Sequence, residues 1–198
     1  MCILKSVVLR SAVAMSALAV ITLPPSVAAQ HKPGDVPVDF SASAQGVGAL
    51  GAVATTMKIH VDRYTADRDR TAILAALTKN GYQAFLPAFR KVPVVGYVQI
   101  KEQKWNLRWA SQQTRDVGQT VTVATDQPMF FLGGMGVNPK PRAGYELAVI
   151  RLELDTIGMG NGTLAAAARV KPNADATGVE VDDYAEEPMK LTSVTRVF

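Results

Sequence analysis

Apolar and polar residues alternate through most of the chain after position 92. Trp105, Leu107 and Trp109 are separated by single polar residues, which predicts a half-buried strand with both tryptophans on one face. Further strand signals occur at 94–100, 120–123, 148–155, 164–170, 179–184 and 191–197. Short strands separated by turns are typical of an antiparallel sheet.

The chain before position 92 has a different pattern. Residues 57–64 alternate with a period of two and predict the first strand. Ile73 and Leu77 then recur at helical spacing, and the Asn-Gly pair at 80–81 predicts the end of that helix. A second short helix is predicted over residues 82–90, so we expect a helical hairpin after the first strand.

These elements predict an α+β fold that is mainly antiparallel β, with about eight strands and the helical hairpin. Such strands can close as a barrel or pack as a sandwich. Residues 46–198 are predicted to form a single β-rich domain, because no linker separates two cores. Residues 30–45 contain Pro33, Gly34 and Pro37 and are predicted to form a mobile N-terminal arm.

The first 29 residues have the three-part pattern of a secretory signal peptide. Lys5 and Arg10 provide a positive start, residues 11–23 are apolar, and small residues at 27–29 form a cleavage point. The apolar run is shorter than the roughly 20 residues that a membrane-spanning helix needs. We therefore expect an exported protein, periplasmic or extracellular, with a signal of bacterial style.

Composition and charge narrow the chemistry further. The chain has 198 residues, a net charge of +4 and one cysteine, Cys2, so the predicted mature chain has neither disulfides nor thiol nucleophiles. Residues 57–115 hold eleven bases and four acids. This excess suits an anionic partner such as a membrane surface or a glycan phosphate, although scattered bases are also typical of solvated faces. Nucleic acid is not predicted as a partner, because the chain has no dense basic run.

Two small sets of residues carry the candidate chemistry. Asp126 ends a predicted strand and, paired with Glu146 or Asp155, predicts a carboxylate-based hydrolase. The alternative is an aspartate that opens a turn before a proline. Trp105 and Trp109 form an aromatic stripe that would bind sugars or lipids if it lined a pocket, and that would otherwise belong to the core.

No cofactor or metal site is predicted. Residues 46–51 match the dinucleotide pattern G-x-G-x-x-G, but they lead into a strand, whereas the pattern binds a pyrophosphate at a helix N-terminus. His60 and Asp62 share a polar strand face with Lys58. No histidine pair has metal-ligand spacing, so an ordinary surface strand is expected there.

Several short motifs follow one another along the predicted mature chain. They are the helix start at 65–77, KVPVVGY at 91–97, TDQPM at 125–129, the turn at Gly158, and the segment 187–194, which begins with Glu-Pro and ends with Leu-Thr-Ser-Val. In this order they resemble a group of small exported bacterial proteins of uncharacterised function. The resemblance covers most of the mature chain and implies export and a single domain. It carries over no catalytic residue.

Three functions are therefore open. The first is a non-enzymatic exported binding or accessory protein of the cell envelope, with a small molecule, lipid or glycan as partner. The second is the exported hydrolase based on Asp126. The third is a structural envelope protein that binds an anionic surface through residues 57–115.

Overall fold

The computed structural model describes residues 36–48, 51–130, 142–173, 178–185 and 187–197. All of them belong to one compact unit, Lys32–Phe198, as expected for a single β-rich domain. The predicted signal peptide, residues 1–29, lies outside the described residues.

The described residues form nine strands and one helix. In chain order these are β1 Val38–Gly48, β2 Gly51–Val61, α1 Asp67–Lys91, β3 Gly96–Ile100, β4 Gln103–Thr114, β5 Gln119–Thr125, β6 Leu147–Leu154, β7 Met159–Pro172, β8 Val179–Tyr184 and β9 Met189–Val197.

The sheet closes into an eight-stranded barrel. The strand order is β6-β5-β4-β3-β2-β1-β9-β7-β8, and β6 also pairs with β7. The pairings are antiparallel throughout. Strand β8 pairs with the C-terminal part of β7, beside the ring. The prediction of a mainly antiparallel β protein is confirmed, and the barrel is one of the two architectures that the sequence allowed.

The barrel interior is a packed apolar core. Alternate residues of each strand point inward, and an eight-stranded barrel is just wide enough for side chains to fill it. Every strand of the ring contributes a residue that is at most 1% exposed: Phe40, Ile59, Val98, Leu107, Val123, Ile150, Leu164 and Leu191.

The predicted helical hairpin after the first strand is wrong. The helix follows the second strand, because β1 comes before the strand predicted as the first. Residues 38–45 lie in strand β1, and Phe40, Ala42 and Ala44 of this strand point into the barrel core. The prediction that these residues belong to a mobile arm is therefore wrong. The predicted stop at 80–81 is a kink within α1, where Gly81 has φ 68° and ψ −170°.

Helix α1 covers part of the outer barrel wall. Ile73, Leu77, Phe85 and Phe89 on both sides of the kink pack against this wall. The wall residues in this second core are Trp109, Ala124, Leu147, Val149, Ala165, Ala168 and Val170. Burial of this apolar stripe stabilises the helix on the barrel. Within the described residues, no helix combines the length and the apolar character needed to span a membrane.

Two glycines have a left-handed backbone conformation, but a side chain would clash with neighbouring atoms at only one of them. The φ angles are 68° at Gly81 and 80° at Gly118, in the β4–β5 turn. A Cβ at Gly118 would lie 1.9 Å from the Leu154 carbonyl oxygen, whereas one at Gly81 meets nothing within 4 Å. We expect Gly81→Ala to cost about 1 kcal/mol, and Gly118→Ala about 2–5 kcal/mol, because the turn must also shift. Equal losses in urea unfolding would contradict this geometry.

Candidate functional site

The two tryptophans of β4 lie on opposite sides of the barrel wall. Trp105 is the partner of Val98 in β3 and packs against the interior core. Trp109 is 1% exposed and belongs to the core under α1. The change occurs at a β-bulge between Leu107 and Trp109, where an extra residue reverses the in-and-out alternation. The predicted shared face is therefore wrong.

The contacts of Trp109 are those of a packing residue. Its Nε1 donates a hydrogen bond to Ser111 Oγ at 3.1 Å. The Arg70 guanidinium of α1 lies 5.6 Å from its ring centroid. Ligand binding by Trp105 and Trp109 stays a prediction from the sequence, and these two side chains cannot form a continuous stripe.

The β5–β6 pairing brings two of the three predicted carboxylates to one end of the barrel. Asp126 directly follows β5, and Glu146 directly precedes β6. Thr125 pairs with Ala148 at this end. Asp155 follows the other end of β6. The register therefore agrees with a pairing of Asp126 with Glu146 and separates Asp155 from both by the length of a strand.

Asp126 is held in a partly buried ion pair. Arg108 Nε donates to Asp126 Oδ2 at 3.2 Å, and Arg108 Nη1 donates to the Val92 carbonyl at 2.7 Å. The Arg108 and Asp126 side chains are 22% and 11% exposed. Because Val92 caps the C-terminus of α1, the hydrogen bond from Arg108 ties the end of the helix to the barrel, and Asp126 holds Arg108.

Glu146 contacts Tyr82 of α1. Its backbone N–H donates to Tyr82 Oη at 3.3 Å. Burial raises the pKa of Tyr82, and the Glu146 carboxylate raises this pKa further. Glu146 Oε2 is buried without a hydrogen-bond partner among the residues that the structure describes. Two carboxylates and a tyrosine hydroxyl thus lie near one barrel end, and groups of these types can serve acid–base chemistry.

A second polar cluster crosses four strands on the outside of the barrel. Asp39, His60, Tyr97 and Asn106 are successive cross-strand partners in β1 to β4. His60 Nδ1 lies 2.7 Å from Asp39 Oδ1, and Nε2 lies 3.0 Å from Asp62 Oδ1. The imidazole also stacks on Tyr97, with ring centroids 5.0 Å apart. Both ring nitrogens therefore face carboxylates.

The neighbouring row carries two lysines. Ser41, Lys58, Gln99 and Lys104 are successive partners across the same four strands, and we call them the lysine row. Lys58 Nζ lies 3.5 Å from an oxygen of the Asp39 carboxylate. Lys104 Nζ lies 3.5 Å from the centroid of the Tyr97 ring, which is a cation–π contact. We call Asp39, His60, Tyr97 and Asn106 the first row. The two rows therefore form one network.

Both rows lie on a part of the wall that no described element covers. The outward-facing side chains of β9, of β1 up to Gln45, of β2 from Ala54, of β3 and of the first half of β4 are half-buried or exposed. We call this surface the open wall. Its members are mostly hydrogen-bonding residues: Asp39, Ser41, Ser43, Lys58, His60, Tyr97, Gln99, Lys104, Asn106, Lys190, Thr192 and Thr195.

Exposed apolar side chains border the open wall at its β9 edge. Ile157, Met159 and Val197 are 68%, 49% and 51% exposed. Met159 is the cross-strand partner of Thr195. Thr195 lies two residues before Val197 on β9, so Met159 and Val197 are near neighbours. Exposed apolar residues beside a polar surface are typical of interaction sites.

A third cluster joins β7 to β8. The Tyr145 hydroxyl donates a hydrogen bond to the Asp183 carboxylate, and this bond lowers the pKa of Asp183 and raises that of Tyr145. Arg169 Nε donates to Asp182 Oδ2 at 3.0 Å. The acidic side chains of this strand are exposed and paired with bases, as expected for a solvated edge.

Sequence reasoning did not single out several members of these clusters. Tyr97 lies on the predicted strand 94–100, and Lys104 directly precedes the predicted strand that begins at Trp105, so an extension of the period-two pattern by one residue places both outward. Their contact with His60 requires the strand register, which the pattern does not contain. Within the described residues, no group of three or more histidine, aspartate or glutamate side chains is arranged to hold a metal ion.

The fold is thus a closed eight-stranded antiparallel barrel with one covering helix and a polar network on its uncovered wall. Comparison with protein-family models, curated proteins and solved structures finds no match. The resemblance to small exported bacterial proteins stays an expectation from the sequence. Function is therefore inferred from the geometry of this chain.

Removal of Arg108 should leave Asp126 without its charged partner. We expect Arg108→Met to lower the free energy of unfolding by about 2–3 kcal/mol, somewhat less than for a fully buried ion pair. The double variant with Asp126→Asn should lose less than the sum of the two single variants, because the two groups interact directly. Urea unfolding of all four proteins measures this coupling, and strictly additive losses would show that the ion pair is not a stabilising unit.

Tyr145→Phe removes a hydroxyl and keeps the ring. The pKa of Asp183 should then rise toward the ordinary aspartate value, because the hydrogen bond from Tyr145 is its largest stabilising contact. A lowered pKa stabilises the fold above the ordinary aspartate range, and this contribution is lost as the pH falls through the lowered pKa. NMR titration of the Asp183 carboxyl carbon measures the change. An unaltered Asp183 titration in the variant would refute this assignment.

Proposed function

We propose that this chain is a non-enzymatic binding or accessory protein, exported to the cell envelope, whose partner contacts the open wall. The observation that carries the proposal is the network of His60, Tyr97 and Lys104 on a surface that no described element covers. Side chains already held by their neighbours lose little conformational entropy when a partner binds. The signal peptide expected over residues 1–29 supports export.

The packed interior supports a partner on the outside of the barrel. Large side chains such as Phe40, Met57 and Ile150 fill the space that a ligand-carrying barrel leaves open. Met129, which follows β5, is buried in the same core. The exposed apolar residues at the β9 edge give a partner further contact area next to the open wall.

A carboxylate-based hydrolase is the second candidate function. The β5–β6 register favours it, since Asp126 and Glu146 lie at one barrel end. Asp126, however, already binds Arg108, and an aspartate that holds the arginine bound to the helix end has a sufficient structural role. An Asp126→Asn variant with full activity on a confirmed substrate would exclude this function.

A structural protein that binds an anionic surface through all of residues 57–115 has less support. The bases of this segment are divided between α1 and the barrel. Four arginines of this segment pair with acids: Arg68 with Asp69, Arg70 with Asp67, Arg108 with Asp126, and Arg115 with Glu153. The segment therefore does not present one continuous basic face.

Photo-crosslinking in intact cells of the source organism tests the proposed surface. A photo-reactive residue in place of Ser41 or Asn106 on the open wall should give a covalent adduct with a partner. The same residue in place of Gln83, which is exposed on α1, should give none, because the open wall and not the helix is the proposed contact. Adducts from position 83 alone, or from none of the three positions, would contradict the proposal.

A further inference from the structure

We propose that the open wall binds an anionic polysaccharide along the lysine row. This inference rests on the proposed function and adds the chemical class of the partner. The row presents two ammonium groups and no carboxylate among its four members, Ser41, Lys58, Gln99 and Lys104. Lys58 Nζ shares the Asp39 carboxylate of the first row at 3.5 Å, whereas Lys104 Nζ lies over the neutral Tyr97 ring. An anionic partner therefore meets a complementary charge chiefly at Lys104, and at Lys58 it competes with Asp39.

The spacing of the two lysines favours a polymer over a single small anion. Lys58 and Lys104 lie on β2 and β4, on either side of Gln99 in β3. Neighbouring strands are about 4.8 Å apart, so their backbones are separated by about 10 Å. A chain with a carboxylate on successive sugars can contact both ammonium groups at once, whereas one small anion contacts one of them.

Both ammonium groups are held in place before a partner arrives. Lys58 is drawn toward Asp39, and Lys104 lies over the Tyr97 ring. That ring stacks on His60, which is fixed between two carboxylates. The first row thus acts as a support for the lysine row, which lowers the entropic cost of binding.

The neutral members of the open wall match the hydroxyl groups of a sugar. Gln99 Nε2 donates to the Lys101 carbonyl at 3.0 Å, which fixes the amide and leaves its carbonyl oxygen to accept a hydrogen bond. Ser41 lies two strands away in the same row, Asn106 is the cross-strand partner of Tyr97 in the first row, and both can donate or accept. A surface with this density of hydrogen-bonding groups suits a polyhydroxyl partner better than an apolar one.

A lipid surface fits the lysine row less well. Membrane contact requires apolar side chains that enter the bilayer interface, next to the basic residues. The exposed apolar residues Ile157, Met159 and Val197 lie at the β9 edge, several strands from Lys104. No member of the lysine row is apolar, so we assign the row to a glycan and test the lipid separately.

The test measures binding of the mature protein to polygalacturonate, with neutral dextran as the uncharged polymer. At about 50 mM salt, polygalacturonate should bind and dextran should not, and about 500 mM salt should abolish binding because it screens the lysine charges. Lys58→Gln and Lys104→Gln should each weaken binding about threefold, and the double variant about tenfold. Lys104→Arg should retain binding because it keeps the charge.

Lys79→Gln provides the matched control. Lys79 is exposed on α1, and its loss changes the net charge equally without touching the open wall. This variant should bind polygalacturonate like the unmodified protein. Equal weakening by Lys79→Gln and Lys104→Gln would overturn the proposal, as would unchanged binding in the double variant.

Two further outcomes separate this inference from the proposed function. Binding to phosphatidylglycerol vesicles without binding to polygalacturonate would overturn the glycan assignment in favour of a lipid. Failure to bind either anionic probe, together with crosslinks from the open wall in cells, would also overturn the glycan assignment and would leave the proposed function standing. Failure of both the probes and the crosslinks would reject both.

Discussion

Closure of the barrel depends on β7, which pairs with β6 on one side and with β9 on the other. The close approach of these strands requires glycine at two positions. A Cβ at Gly160 would lie 1.9 Å from the Glu153 carbonyl oxygen, and one at Gly162 would lie 2.5 Å from the Arg151 carbonyl oxygen. Since β9 also pairs with β1, this single strand converts an open sheet into a ring without free edges.

Closure determines where function can lie. The ring buries one apolar face of every strand, and large side chains fill the small interior. Helix α1 uses part of the outer face as a second core. The open wall is what the described elements leave uncovered, and its polar composition follows from the alternation that places the apolar residues inside. Large side chains here occupy the interior space in which a wider barrel could hold a ligand.

The alternation of apolar and polar residues was sufficient to predict the strands whose inward and outward faces differ clearly in polarity. Alternation in 94–100 and 148–155 predicted strands that the structure contains. The first strand was missed because Ala42 and Ala44 give a weak apolar signal beside a glycine-rich stretch. The kink at Gly81 was mistaken for a turn because the sequence does not show that Phe85 continues the same buried face.

The candidate sites show the same limit at the level of side chains. The position of Asp126 after a strand was predictable, but its partner Arg108 depends on the bulge in β4 and on the place where α1 ends. The contact of His60 with Tyr97 likewise exists because β2 and β3 pair in one register, and a shift of one residue would turn the two rings to opposite faces. Register is fixed by the packed interior, where a shift would expose the apolar residues of a whole strand. The apolar core therefore determines the arrangement of the polar network outside, although the two share no side chain.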